Sequence, residues 1–477
     1  MLKFKKISDI ICVLHLWEVI MQQKRSSFTG KLGFIMAAAG SAVGLGNIWR
    51  FPYLAAQYGG GIFLLVYVIL AVTFGFALMV AEIAIGRKTG LSAVGAYKAL
   101  CKKFSFVGWL TALVPIIILP YYCVIGGWIM KYLYEFCSGG ALKTAMDFFQ
   151  NNESVSFFQV FTATAAEPIG WFLLYMGFTA VVVFLGVEKG IEKVSKIMMP
   201  VLIALTVFIA GYIMFMDGAM RGVEYYLKPD FSHFSFTTVF AAMGQLFYSM
   251  SLAMGIMITY GSYMKKDVNI ESSVRHIEIF DTAIAFLAGL MIIPAVYASG
   301  QEANLKAGPS LMFIVLPKVF NQMNGGIVIG AVFFILVFFA ALTSSISLME
   351  TVVSIIRDKT KCGRKTACLI VIGICLLLGI PSSLGNGPWA GITLLGKNFL
   401  DFFDFISNSI LMPVVAFFTC IMVGYVIKPK TVIEEVELNG RFKSKKLFEV
   451  VIKYIAPICI ILILVTSVLE AMGFLKI

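Results

Sequence analysis

Gly40-Ser41-Ala42-Val43-Gly44-Leu45-Gly46-Asn47-Ile48-Trp49-Arg50-Phe51-Pro52 lies inside an apolar run that is otherwise long enough to cross a membrane. Gly40, Gly44 and Gly46 fall within seven residues. Each glycine is ~1 kcal/mol worse than alanine in a helix interior, so the stretch predicts a break. Gly40-x-x-x-Gly44 is also a helix-packing pattern, and alone that reading would lead. Asn47 and Arg50 change the balance. An amide and a guanidinium within one turn of a broken intramembrane helix are costly unless they are used.

Outward from this stretch the chain stays apolar. Its 477 residues are 60% hydrophobic and 13% charged, with a mean hydropathy of +0.91. Soluble domains carry about 25% charged residues. Soluble globular, disordered and secreted disulfide-scaffold classes are thereby excluded, and a polytopic membrane protein remains. A helix needs about 20 apolar residues to cross the hydrocarbon. Eleven segments qualify, near 33–56, 61–86, 106–136, 170–187, 192–216, 236–264, 277–299, 326–356, 366–382, 398–427 and 450–474. The longest connectors, near 137–169 and 300–325, hide no soluble domain, which argues against an enzyme on an anchor.

The net charge of +12 reads as topology rather than as a nucleic-acid partner. With the N-terminus inside, 29 of the 38 Lys and Arg residues fall on the inner side. The expectation is a multi-pass protein of the cell inner (cytoplasmic) membrane, N-terminus inside and C-terminus outside, with lipid as its surroundings. The basic run Arg441, Lys443, Lys445, Lys446 fits the same rule. Ile10–Leu16 after Lys3, Lys5 and Lys6 lacks a small-residue cleavage site, so a signal peptide is not favoured. Residues 1–20 read as an upstream extension before a start at Met21, or as a surface helix. The nine cysteines imply no disulfide framework. His15, His233 and His276 are scattered, and no metal-dependent membrane enzyme can be drawn from them.

A second weak point, Tyr248-Ser249-Met250-Ser251-Leu252-Ala253-Met254-Gly255, falls in the sixth segment. Small and hydroxyl residues weaken a helix locally. Segments one and six occupy corresponding places in a five-plus-five repeat with one extra helix. Paired interrupted helices in corresponding halves point to a transporter's binding site, where freed carbonyls hold a cation and half-helix N-termini face an anion. The eighth segment adds Ala340-Ala341-Leu342-Thr343-Ser344-Ser345. Those hydroxyls bond back to their own helix in the plainer reading, but they also suit a hard cation such as Na⁺. Glu82, Asp281, Glu350 and Asp404 are intramembrane carboxylates, hence functional candidates. Glu350, near the inner end, fits simple pairing equally well.

The 40–52 block resembles the first-helix signature of the neurotransmitter:sodium symporter family, in its bacterial, eleven-helix branch. Gly59-Gly60-Gly61, Glu82-Ile83-Ala84-Ile85-Gly86-Arg87, Pro120-Tyr121-Tyr122, Gly244-Gln245-Leu246-Phe247-Tyr248-Ser249-Met250-Ser251 and Leu342-Thr343-Ser344-Ser345 fit it too. The resemblance implies an all-α membrane fold of the leucine-transporter type, with an inverted repeat and broken helices one and six. It implies a cytoplasmic segment over 1–27, a transporter core over 28–427 and a cytoplasmic loop with helix eleven over 428–477. Two sodium sites follow from it. Ala42, Asn47, Ser249 and Asp281 correspond to the first, and Gly40, Val43, Ala340, Thr343 and Ser344 to the second. A carboxylate at Asp281 beside bound Na⁺ would take chloride's place, so chloride independence is expected.

The same resemblance implies a substrate pocket of Ser41, Ala42, Gly44, Leu45, Gly46, Ile118, Tyr122, Tyr248, Ser249, Ser251, Ala253, Met254, Ser344 and Leu348. Relatives that carry monoamines have an Asp at the place of Gly44. Glycine there leaves the carboxylate to the substrate, which implies an amino acid, hydrophobic or aromatic. Arg50 and Asp404 correspond to an outer gate, and Arg25, Phe28, Tyr263 and Asp358 to an inner one. Phe28 departs from the Trp usual there. Glu82, Gln245, Gly190 and Pro200 are structural positions, the last two in a motif for unwinding during inward opening. The function so implied is Na⁺-coupled symport by alternating access, with neither catalytic residues nor a protein partner beyond a monomer or homodimer. A proton-coupled carrier of the same fold, a non-transporting sensor and a channel are the alternatives. Thr343 and Ser344 weigh against the first, because proton-coupled relatives often place a Lys there.

Overall fold

The structure is a computed structural model that describes residues 27–138, 156–302, 305 and 310–471. Its described residues are helical almost throughout. In chain order, α1 is Lys31–Ala42, α2 Gly46–Gln57, α3 Gly61–Thr89, α4 Ala93–Leu100 and α5 Lys102–Ser138. Then come α6 Phe157–Ala163, α7 Ala166–Leu185, α8 Val187–Met214, α9 Ala219–Leu227, α10 Phe236–Ser249, α11 Ile256–Ser262 and α12 Ile270–Ala298. The chain finishes with α13 Leu311–Gln322, α14 Gly326–Thr360, α15 Arg364–Leu384, α16 Phe399–Val426, α17 Lys428–Val436 and α18 Lys445–Val468.

Among the described residues, nine helices are long and apolar enough to cross a membrane, and α1 with α2 makes a tenth as a bent pair. The sixth segment expected from sequence, 236–264, is not a continuous helix. It forms the shorter α10 and α11, separated by Met250–Gly255. The reading of residues 1–20 and the position of Arg25 lie outside the described residues.

α5 and α14 lie at the centre and pack along each other, with α7 and α15 against α5. α1 sits between α8, α12 and α14. Buried side chains on these helices form one continuous apolar core. α3 and α11 approach at backbone distance. A Cβ on Gly86 would lie 1.9 Å from the Ile258 carbonyl oxygen, and one on Gly261 would lie 2.4 Å from that of Ile83. In a bilayer, where burial of apolar surface drives little association, small residues at such crossings supply the packing.

Candidate ion and substrate site

Both predicted breaks are present. α1 ends at Ala42, α2 begins at Gly46, and their axes bend by 47°. The first turns of α2, Gly46–Arg50, are π-helical. Between α10 and α11, Ser251 (φ 53°), Ala253 (φ 60°) and Gly255 (φ 73°) are left-handed. Two non-glycine residues of this kind within three positions carry backbone strain, which survives only where the surroundings over-determine it. Here they do. The Glu82 carboxylate of α3 accepts the Ala253 N–H at 2.7 Å, and the Ser251 hydroxyl donates to the Ser41 carbonyl at 3.0 Å. Gln245 donates to the Gly46 carbonyl at 2.7 Å, tying the two breaks together.

Asp281 is fully buried on α12, and its register relative to the breaks is defined. Asn47 Nδ2 donates to Asp281 Oδ1 at 2.7 Å and to its carbonyl at 3.0 Å. Ser249 Oγ donates to the same Oδ1 at 2.7 Å. The Gly44 N–H donates to Asn47 Oδ1 at 3.0 Å. Thus Asn47, Ser249 and Asp281, from three helices, converge beside the α1–α2 break that holds Ala42. Tyr67 joins them, its hydroxyl 3.0 Å from Asp281 Oδ2 and 3.1 Å from Ser249 Oγ. Sequence reasoning missed Tyr67. The available signal was a phenol in the otherwise apolar run Gly61–Leu70.

Of the second expected ion set, the structure brings Gly40 and Thr343 together. A Cβ on Gly40 would lie 3.3 Å from Thr343 Cβ, so α1 and α14 are in contact there. The Thr343 hydroxyl donates to the Phe339 and Ala340 carbonyls, the self-bonding pattern. The Ser344 hydroxyl reaches across to the Ser41 carbonyl at 3.0 Å. Val43 turns out of the helix with ψ 97° as α1 stops.

Between these two sets lies a small cavity. Ser41, Ala42, Gly44, Leu45, Gly46, Ile118, Tyr122, Tyr248, Ser251, Met254, Ser344 and Leu348 line it, as expected. Ser249 and Ala253 do not. The hydroxyl of Ser249 is turned to Asp281, and the N–H of Ala253 to Glu82. Ile256, at the start of α11, lines the cavity and was not foreseen. Among the described residues its wall carries hydroxyls but no charged side chain. The Leu45 N–H donates to the Tyr122 hydroxyl at 3.3 Å. A Cβ on Gly44 would lie 2.5 Å from Ser344 Oγ and 3.0 Å from Tyr122 Oη, so glycine keeps this space open.

Beyond Tyr248 a second, polar cleft of about 270 Å³ is lined by Arg50, Tyr53, Gln57, Gly244, Asn408 and Ser409, among others. Arg50 sits over the Tyr248 ring at 5.5 Å. The expected Arg50–Asp404 contact is not made. Asp404 accepts instead from Tyr121 at 3.1 Å and Asn408 at 2.5 Å. At the opposite end the structure is closed. Phe28 is buried and packs edge-on against Tyr260 and Tyr263. Tyr263 donates to Glu350 at 2.8 Å, and Arg364 forms an ion pair with Glu350, so that carboxylate is paired. Asp358 accepts the Ser92 N–H at 2.8 Å. Gly190 lies in a π-helical turn, Val187–Glu192, while Pro200 sits in an intact stretch of α8.

A bundle of membrane-length helices, interrupted twice around an enclosed cavity with clefts closed at one end, has the build of a secondary transporter. The chain belongs to the sodium:neurotransmitter symporter family, whose model matches residues 25–140 and 140–474. This is a family of transporters, not enzymes. The chain is 34% identical to the uncharacterized sodium-dependent transporter YhdH of Bacillus subtilis, over 93% of this chain and 97% of that one. It is 25% identical to the sodium- and chloride-dependent GABA transporter 2 of Rattus norvegicus, over 75% and 67%. Among solved structures it is similar to MhsT in complex with L-phenylalanine. That likeness has a TM-score of 0.85 at 37% identity and covers 93% of this chain and 100% of MhsT.

Proposed function

We propose that this protein imports a hydrophobic or aromatic amino acid together with two Na⁺, independently of chloride, by alternating access. The observation that carries the substrate class is the small cavity between the two breaks. It lacks a charged side chain to match a charged cargo, and glycine stands at position 44. The L-phenylalanine bound to MhsT supports the same class.

In this mechanism one Na⁺ is held by Ala42, Asn47, Ser249 and Asp281 with the substrate carboxylate. The other is held by Gly40, Val43, Ala340, Thr343 and Ser344. Because substrate and first ion share a contact, each raises the other's affinity equally. The substrate ammonium sits against carbonyls freed at the breaks. Asp281 supplies the negative charge that chloride would otherwise bring. Arg50 and Asp404 then come together over Tyr248, and the inner contacts around Phe28, Tyr263, Asp358 and Arg25 release. Residues 28–427 form the moving core, a five-plus-five inverted repeat, with an eleventh helix after it and the N-terminus inside.

The test is uptake into liposomes holding the purified chain, driven by an imposed Na⁺ gradient, with the twenty amino acids as competitors. Accumulation driven by Na⁺ and blocked best by aromatic or branched aliphatic amino acids is expected. Accumulation of none of them would overturn the proposal. Replacing chloride by gluconate is expected to leave uptake intact, and a collapse there would overturn the chloride part alone.

A further inference from the structure

α16 and α18 pack against each other away from the transport site. Between them runs a wholly apolar groove of about 310 Å³, walled by Val414, Phe417 and Phe418 on one helix and Ile460, Ile461 and Leu464 on the other. Ile461 is 46% exposed, so the groove opens outward, where the bilayer lies. Lys453 precedes Ile460 and Ile461 by seven and eight residues. Two helical turns put it on the same face, ~10–12 Å toward the end of α18 that carries Lys445 and Lys446.

Lys453 is half-buried inside a membrane span. Its stem lies against Gly424, where an added Cβ would meet Lys453 Cα and Cγ at 3.5 Å. Tyr425 donates to the Lys453 carbonyl at 2.5 Å, which fixes this end of the helix pair. Both helices are π-helical here, over Met422–Val426 and Val451–Ile455. Among the described residues no carboxylate comes within ion-pair distance of Lys453, not even Glu449 one turn earlier. A cation at the inner end of a span, without a protein carboxylate, is met by water or by a lipid phosphate at the interface.

We propose that this groove binds an anionic phospholipid, with the phosphate on the Lys453 ammonium and an acyl chain between Phe418 and Ile461. The spacing of charge and slot matches a headgroup and the upper part of its chain. Lysine binds phosphate as a point charge. The uncompensated Lys453 charge favours a lipid of net negative charge over a zwitterion, and the exposed Lys445 and Lys446 add only a weaker, salt-screened attraction.

The test is native mass spectrometry of the intact chain released from detergent, with dioleoylphosphatidylglycerol and dioleoylphosphatidylcholine as probes. Wild type is expected to retain the phosphatidylglycerol preferentially. Lys453→Gln should lower that retention about fivefold, the scale of one lysine near a lipid surface, and Lys453→Arg should restore it. Leu464→Trp, which fills the groove and leaves the ammonium in place, should lower retention of the same lipid. Lys446→Gln, an exposed cation near the same end, should change it by less than about twofold. Equal retention of the two lipids would overturn the site, as would Lys453→Gln and Leu464→Trp variants that match wild type. An equal loss in Lys446→Gln would also overturn it, since diffuse surface charge would then suffice. If Leu464→Trp alters the oligomeric state rather than lipid retention, the groove is a protein interface and the proposal falls.

Discussion

Asp281 shows how one buried charge organises its surroundings. Three donors, Asn47, Ser249 and Tyr67, all point at it, and among the described residues no cationic side chain forms an ion pair with it. Donors alone do not make an isolated buried carboxylate comfortable, because taking a charge out of water costs several kcal/mol. A bound cation completes such a set. Asp281→Asn should therefore raise the Na⁺ concentration for half-maximal uptake by about tenfold or more, the scale of 1–3 kcal/mol for a disrupted buried contact. An unchanged Na⁺ dependence would remove Asp281 from the ion site. Gly44 makes the complementary case, where absence of a side chain is the feature. Its added Cβ would come within 2.5 Å of Ser344 Oγ, closer than real Cβ atoms approach. Gly44→Ala is expected to weaken amino-acid binding about tenfold in equilibrium binding assays while the protein stays folded. Binding as tight as wild type would show that the cavity does not hold the substrate there.

At the scale of elements, the two breaks depend on supports from intact helices. α3 gives Glu82 to the strained residues between α10 and α11, and α10 gives Gln245 to the start of α2. Glu82→Gln keeps an acceptor for the Ala253 N–H, whereas Glu82→Ala removes it and leaves a buried donor unpaired. The alanine variant should lose about 1–3 kcal/mol and the glutamine variant less, measured by thermal unfolding in detergent with Na⁺ present. Equal losses would mean that Glu82 acts through its charge rather than as a cap. The positions of both breaks were legible in the sequence, because clustered glycines, or hydroxyls beside small residues, contradict a membrane helix locally. The two-short-helix form of 236–264 was less legible. Its apolar content suits one span, and the left-handed Ser251, Ala253 and Gly255 divide it. Most of the cavity wall was readable through the family resemblance, since motif residues map by position. Tyr67 and Ile256 were not, because each lies on the site through tertiary packing and carries no pattern of its own. The Arg50–Asp404 pairing could be expected as a partnership but not as a distance, since gate distances change with the state of the transporter.

For the whole molecule, the two ends of the bundle differ. Around Phe28 the chain is sealed by aromatic packing and by the Tyr263–Glu350–Arg364 contacts. On the other side, a polar cleft reaches Arg50, and Arg50 and Asp404 stand apart. This asymmetry is that of a carrier closed on one side and accessible from the other. Arg50→Ala should then impair transport more than equilibrium binding, because the residue is used when the cleft closes rather than when the cavity fills. A parallel loss of both would place Arg50 in the binding site instead. The driving force is a property of the same scale. In the proposed cycle two Na⁺ would travel with a zwitterion and carry net positive charge inward, while Asp281, fixed on α12, would stay behind. An electric potential of 100 mV contributes ~2.3 kcal/mol per charge moved, about fiftyfold in accumulation. Uptake into liposomes at equal Na⁺ on both sides should therefore start when a potassium diffusion potential makes the interior negative, and reverse with its sign. Uptake indifferent to that potential would mean that the cycle moves no net charge, and that a cation returns for each Na⁺ that enters uncompensated.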